Sequence, residues 1–243
     1  MFRRECELTS QRLRVSGAIR RNRTKQFSRD LTKLQEFFLI LYGSEILTQT
    51  GNHLLLVGIS IAIATLLGIP LGILITRKPQ LTKLVLGFAN IVQTIPSLAI
   101  FGFLISVPFL GGIGNTPAIV ALTLYSLLPI IRNTYTGITN VDPAIREAGR
   151  GMGMTDWQLL LQVEIPLSLG VILAGLRVAT VIAIGIATIA PAIGADGLGV
   201  FIFRGISMVN NQVILAGAVP AALIALAADF ALGWIELLLT YKR

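Results

Sequence analysis

The chain has 243 residues, 54% hydrophobic and only 13% charged, with a mean hydropathy of +0.78; that is about half the charge of a soluble domain and excludes a soluble enzyme. A single cysteine, Cys6, and a single histidine, His53, exclude an internal disulfide and a His/Cys metal site. The net charge of +8 lies largely in the first 50 residues, which hold ten Lys/Arg against five Asp/Glu; the rest falls at the ends of apolar runs, where it orients a membrane protein rather than binding nucleic acid.

Residues 1–33 are basic and lack apolar periodicity, which predicts a disordered tail, and no apolar stretch follows the arginines closely enough for a secretory signal. Residues 34–52, with the run LQEFFLILYGSEILTQT, are amphipathic but too short and too charged to span, and predict a segment lying at the membrane interface. Five spans follow, at about 53–75, 85–107, 117–138, 167–192 and 212–238, each long enough for the roughly 20 apolar residues a crossing needs. Between Leu84 and Ile131 there are 48 residues without a charge. The expected fold is therefore all-α, a polytopic membrane domain over residues 53–240.

Lys and Arg in short loops set the orientation. Arg77, Lys78 and Lys83 after the first span, Arg146 and Arg150 in the polar segment 140–165, and Lys242 and Arg243 at the C-terminus all fall on one side if there are five spans. That side is the cytoplasmic one. The basic tail then falls outside, against the rule, so it is either an exception or an artefact of the assigned start; no Met lies between Met1 and Met152 to provide another.

The most informative stretch is 141–166, VDPAIREAGRGMGMTDWQLLLQVEIP. Asp142 is suited to cap a helix and Pro143 to its first position. Ile145, Ala148 and Met152 recur at helical spacing on one face, and Gly149, Gly151 and Gly153 break the helix. Thr155 restarts it, with Gln158 completing a capping box. Trp157, Leu160, Leu161 and Glu164 are expected on one face of this second helix, and Pro166 opens the next span. Apolar side chains presented by a loop need a partner to cover them, and tryptophan is a favoured anchor.

Glu147-Ala148-Gly149, then Gly153 after three residues, then Val163-Glu164-Ile165-Pro166 after nine more, resembles the EAA loop of ABC-importer permeases. Gly149 replaces the family's second Ala, at an expected cost of about 1 kcal/mol in helix propensity; Val163 and Ile165 replace Ile and Leu. NIVQTIPSLA (90–99), PAIVALTLYSLLPIIRNTYTGI (117–138), AGLRVATV (174–181) and IGADGLGVFIFRG (193–205) are similar to the glycine betaine/carnitine/choline branch, with Asp196 standing where Gly is usual.

The resemblance implies a permease subunit in a bacterial plasma (inner) membrane, with loop and C-terminus cytoplasmic. Its loop would form coupling helices that dock an ABC ATPase subunit through Glu147, Ala148, Gly149, Gly153, Trp157 and Pro166. It also implies an extracytoplasmic substrate-binding protein and a second permease copy or paralogue. The chain has no G-x-x-x-x-G-K-[ST] run, so ATP and Mg would be used by the partner and no cofactor by this chain. The implied cargo is a compatible solute, although the spans offer few clustered aromatics to hold a quaternary ammonium group.

Each residue also has a plainer reading. Glu147 could pair with Arg150 at i+3, and Trp157 could anchor to lipid headgroups. Asn90, Gln93, Thr94 and Ser97, on a span kinked at Pro96, either line the path or bond between helices. Arg177 and Asp229, the charges deepest within spans, are either functional or a mutual ion pair, while Arg132 and Glu236 snorkel to an interface. Gly68-x-x-x-Gly72 marks close helix packing, and IGADGLG an external turn or gate. Two rival functions stay open: an ABC permease for another small solute such as an amino acid, and an ion-coupled secondary transporter using Asp229.

Overall fold

The computed structural model describes residues 43–107 and 112–241. The chain divides into two units between Leu47 and Thr48, and all that follows concerns the second, except for the first residues of helix α1. The helices are α1 (Gly43–Arg77), α2 (Pro79–Thr94), α3 (Ser97–Ile105), α4 (Asn115–Thr139), α5 (Pro143–Gly151), α6 (Asp156–Leu159), α7 (Ile165–Ala187), α8 (Gly199–Ser207) and α9 (Asn211–Tyr241). A π-turn, Leu160–Glu164, joins α6 to α7, and a 3-10 turn, Ala190–Ile193, follows α7. Four of these helical stretches are long and apolar enough to cross a membrane, and the α2–α3 pair, apolar enough but sharply bent, is a fifth only if its two halves count as one span.

Helix α1 corrects the expected boundary of the first span. It begins ten residues earlier than about 53, so residues 43–52, expected as interfacial, continue the span without a break. At 1.5 Å per residue its 35 residues extend about 50 Å, well beyond a hydrocarbon core of about 30 Å. His53, Leu56, Val57, Ser60 and Ala64 are buried along it, which supplies the packing that local sequence did not advertise. The basic tail and residues 34–42 lie outside the described residues.

Helices α1 and α4 run parallel. Ser60 Oγ donates to Leu56 O (2.7 Å) and to Ile119 O (3.3 Å), and Thr123 Oγ1 donates to Ser60 O (3.4 Å). The Gly68/Gly72 pair sits against Ile130 and Thr134, where an added Cβ would lie 2.8 Å and 2.6 Å from side-chain carbons, so the close-packing reading of this motif holds. Helix α7 returns antiparallel to α4, and α9 antiparallel to α7. A glycine marks each seam: Gly175 against Asn133 and Pro129, and Gly233 against Arg177.

The second expected span is broken rather than kinked. Helices α2 and α3 meet at 98°. Pro96 drives the residue before it out of the helical region, and Ile95 has ψ 131°. The carbonyls freed by the bend find donors, as they must in an apolar medium. Tyr125 Oη donates to Ile95 O. Gln93 Nε2 donates to Tyr125 O (3.3 Å), the carbonyl that Pro129, four residues on within α4, has no N–H to reach. Asn133 Nδ2 in turn caps Pro129 O (2.8 Å).

Two ends of the bundle can be distinguished. One, the loop end, gathers the last residue of α1, the end of α4, helices α5 and α6, and the start of α7. The other holds the IGADGLG turn. There Asp196 N–H donates to Asn115 Oδ1 (2.9 Å), Asn115 Nδ2 donates to Asp196 Oδ2 (3.2 Å), and Gly197 N–H donates to Gln49 Oε1 (2.7 Å). Helix α8, which no periodicity had announced, packs on α9 through Gly205 and Gly217. A Cβ on Gly199 would stand 2.0 Å from Thr188 O, a backbone collision that no rotamer relieves. Gly199→Ala is expected to cost at least the roughly 3 kcal/mol at the top of the overpacking range. A thermal midpoint in detergent that falls by several degrees relative to wild type would register it.

Candidate functional site

The segment between α4 and α7 is held by local bonds at every joint. Asp142 caps α5, accepting from Ala144 N–H (2.8 Å), and Pro143 opens the helix. Its end is a Schellman motif: Gly153 N–H donates to Arg150 O (2.9 Å), Met154 N–H to Gly149 O (3.1 Å), and Gly153 takes φ +84°. That conformation is the reason for glycine at 153. The capping box that opens α6 is present, with Thr155 N–H donating to Gln158 Oε1 (2.9 Å) and Gln158 N–H to Thr155 Oγ1 (3.3 Å).

Gly149 is buried, and a Cβ there would lie 2.7 Å from Leu159 Cδ1. The glycine therefore does more than loosen α5: it lets the Leu159 side chain press α6 against α5. Outward, the pair of helices presents Ile145, Ala148, Met152, Trp157 and Leu161, with Met152 74% and Trp157 66% exposed. The expected single face of Trp157, Leu160, Leu161 and Glu164 is divided: Leu160 and Glu164 turn inward while Trp157 and Leu161 face out. Glu147 is exposed, and no hydrogen bond or ion pair to Arg150 forms among the described residues. Beside the loop a groove of about 880 Å³ runs between the end of α1 and α6, lined by Ile73, Leu74, Arg77, Arg150, Trp157 and Leu161 among others.

Pro166 stands near the start of α7. Having no N–H, it would leave a carbonyl of the preceding turn without its helical donor, and the chain widens here into the π-turn, where Ile165 N–H reaches back to Leu160 O. The π-turn aims Glu164 into the protein, where it is 1% exposed. Arg77 binds it with both terminal nitrogens, one of them at 3.5 Å from Oε1, and Arg146 Nε lies 3.2 Å from Oε1. Arg146 also donates to Ile138 O at the end of α4. Sequence reasoning missed this knot because Arg77 and Glu164 are 87 residues apart; the one available signal was a carboxylate inside an apolar run.

The other residues singled out fall into two groups. Asn90 accepts from Arg132 Nη2 (3.0 Å), Thr94 Oγ1 donates to Ile91 O (2.7 Å), Gln93 binds Tyr125 O, and half-buried Ser97 opens α3. These cluster about the α2–α3 break. Arg177 and Asp229 form the other group, a two-bonded ion pair between α7 and α9 (Nε to Oδ1 2.5 Å, Nη2 to Oδ2 2.7 Å), with Glu236 3.8 Å from Arg177. The pair is about one-third exposed and lies in a groove of about 550 Å³ with two aromatic residues, Phe230 and Trp234. No bond links the two groups among the described residues.

Residues 68–240 match the family described as binding-protein-dependent transport system inner membrane component. The carnitine transport permease protein OpuCB of Listeria monocytogenes is 48% identical over 200 residues, covering 82% of this chain and 90% of that one. The glycine betaine/carnitine/choline transport system permease protein OpuCB of Bacillus subtilis (strain 168) is 46% identical over 205 residues, covering 84% and 93%. Among solved structures, a chain from inward-facing conformations of the MetNI methionine ABC transporter superposes with a TM-score of 0.72 at 24% identity, covering 80% of this chain and 96% of that one.

Proposed function

This chain belongs to the binding-protein-dependent transport inner membrane component family, and we propose that within it the chain is the permease of an importer for quaternary-ammonium compatible solutes such as glycine betaine, carnitine or choline. It is a membrane subunit and not itself an ATPase; hydrolysis belongs to a separate subunit and solute delivery to a binding protein, as the family implies. Relatives at 46–48% identity that carry these solutes in their names support the cargo. The observation that carries the coupling role is the apolar surface of α5 and α6, exposed yet held rigid by two caps and a Schellman turn. A loop so braced is built to be pushed by a partner.

Glu147, Ala148, Gly149, Gly153, Trp157 and Pro166 then divide the work. Ala148 and Trp157 supply contact surface, and Glu147 a charge without an ion-pair partner among the described residues; Gly149 and Gly153 allow the compact turn, and Pro166 sets the π-turn. The loop end is cytoplasmic, since Arg77, Arg146 and Arg150 gather there. Docked ATPases that close on ATP would bind the outward-open state better than the inward-open one, which is all a population shift requires.

The path runs past the α2–α3 break and the α7–α9 groove. An ion pair one-third exposed in the middle of apolar helices is not left against lipid, so a second permease copy or paralogue covers it and the solute passes at that seam. Phe230 and Trp234 offer ring faces of the kind that receive a quaternary ammonium. Both Asp229 oxygens are engaged by Arg177, which weighs against Asp229 as a free ion-coupling site.

Replacing Glu147 with Ala is expected to lower ATP-driven uptake by roughly tenfold or more, equivalent to about 1.4 kcal/mol of coupling, with normal membrane levels. Uptake into vesicles energised with ATP measures it; wild-type uptake by this variant would remove Glu147 from the coupling surface.

A further inference from the structure

We propose that Glu164 is a positioning residue, a charged clamp that makes the end of α1, coupling helix α5 and the start of α7 move as one body. The inference rests on the coupling reading above and adds how a push on the loop reaches the spans. Glu164 is 1% exposed, and its two cationic partners come from different elements: Arg77 is the last residue of α1, and Arg146 lies in the second turn of α5. Arg146 extends the connection to α4 through Ile138 O.

Burial decides how this cluster behaves under load. An exposed ion pair exchanges with water at little cost. A buried carboxylate stripped of its partners has no solvent to replace them, so α5 cannot shift relative to α7 or α1 unless Arg77 and Arg146 travel with Glu164. The π-turn is part of the device. Its extra residue per turn rotates Glu164 inward while Trp157 and Leu161 stay on the outer surface, so one short helix carries both the docking face and the clamp. Hydrophobic packing at the same end, among buried Ile75, Ile138, Val141, Leu159 and Leu160, is non-directional. The charges fix direction as well as distance, because Arg77 engages both carboxylate oxygens.

The test uses the full permease reconstituted with its ATPase and binding protein. Glu164→Gln keeps size and hydrogen-bonding capacity but removes the charge. It is expected to assemble with the ATPase at wild-type level while solute taken up per ATP hydrolysed falls about tenfold, within the usual range of coupling factors; Glu164→Asp should recover part of that loss. Spin labels at Lys78→Cys and Ala144→Cys add a readout that mere stabilisation would not move. Their separation should be the same with and without ATP when Glu164 is present, and should become ATP-dependent in Glu164→Gln. Arg77→Gln, at the exposed rim of the cluster, serves if Glu164→Gln does not assemble, and should show the same uncoupling in weaker form. Unchanged solute-to-ATP ratios in these variants, or a label separation that changes with ATP in the Glu164 protein, would overturn the clamp while leaving the docking reading intact. A Glu164 complex without ATP-dependent uptake would overturn both.

Discussion

Trp157→Glu is expected to leave this chain in the membrane at its normal level and strip it of its ATPase. The indole is 66% exposed on α6, in a loop whose backbone bonds are satisfied by the Asp142 cap, the Schellman turn at Gly153 and the Thr155–Gln158 capping box. None of these backbone bonds depends on the indole. An aromatic anchor at the centre of an interface contributes about 2 kcal/mol or more when truncated, and a carboxylate in its place adds the desolvation of an unpaired charge. ATPase affinity should therefore fall roughly thirtyfold or more, at about 1.4 kcal/mol per decade. Ile145→Glu, on the same exposed surface of α5, should act in the same direction. If Trp157 instead anchors the loop to lipid headgroups, affinity in detergent micelles will not change, and membrane levels will.

Asp229→Ala is expected to abolish uptake and to reduce the amount of chain in the membrane. It removes both acceptors of Arg177 and leaves a guanidinium within an apolar helix pair with, among the described residues, only Glu236 at 3.8 Å. Exchanging the two residues, Arg177→Asp with Asp229→Arg, separates the structural part of that loss from the functional part. The pair is restored, so membrane level should return. Uptake should not, because the solute's quaternary ammonium passing Phe230 and Trp234 would find the guanidinium on α9 beside the rings and the carboxylate moved across to α7. Recovery of both by the exchanged pair would make the ion pair a helix fastener and nothing more.

What could be read in the sequence was whatever is local. Four of the five spans, the α5 and α6 caps, the Gly153 turn and the Gly68/Gly72 packing all depend on residues a few positions apart, and each is present, while the remaining span is broken between α2 and α3. The start of α1 was hidden because Glu45 and the polar run around Thr48 and Gln49 look interfacial until the fold buries His53 and Leu56 beneath them. Pro96 announced a disturbance but not its size: at the 98° bend the Ile95 carbonyl is taken up by Tyr125, which comes from a different helix. Helix α8 is too short for periodicity to find. Glu164 was seen as one member of an apolar face. Its role depends on Arg77 and Arg146, which only the folded chain brings to it, and on a π-turn that a spacing of 3.6 residues does not anticipate.

The importer reading is tested most directly by uptake of labelled glycine betaine, with choline and carnitine as competitors, into proteoliposomes holding this permease with its ATPase and binding protein. Uptake that requires the ATPase, the binding protein and ATP on the ATPase side is the predicted result, and competition then ranks the cargo. Uptake by this chain alone, driven by an ion gradient and indifferent to ATP, would contradict it and return Asp229 to the centre of the mechanism.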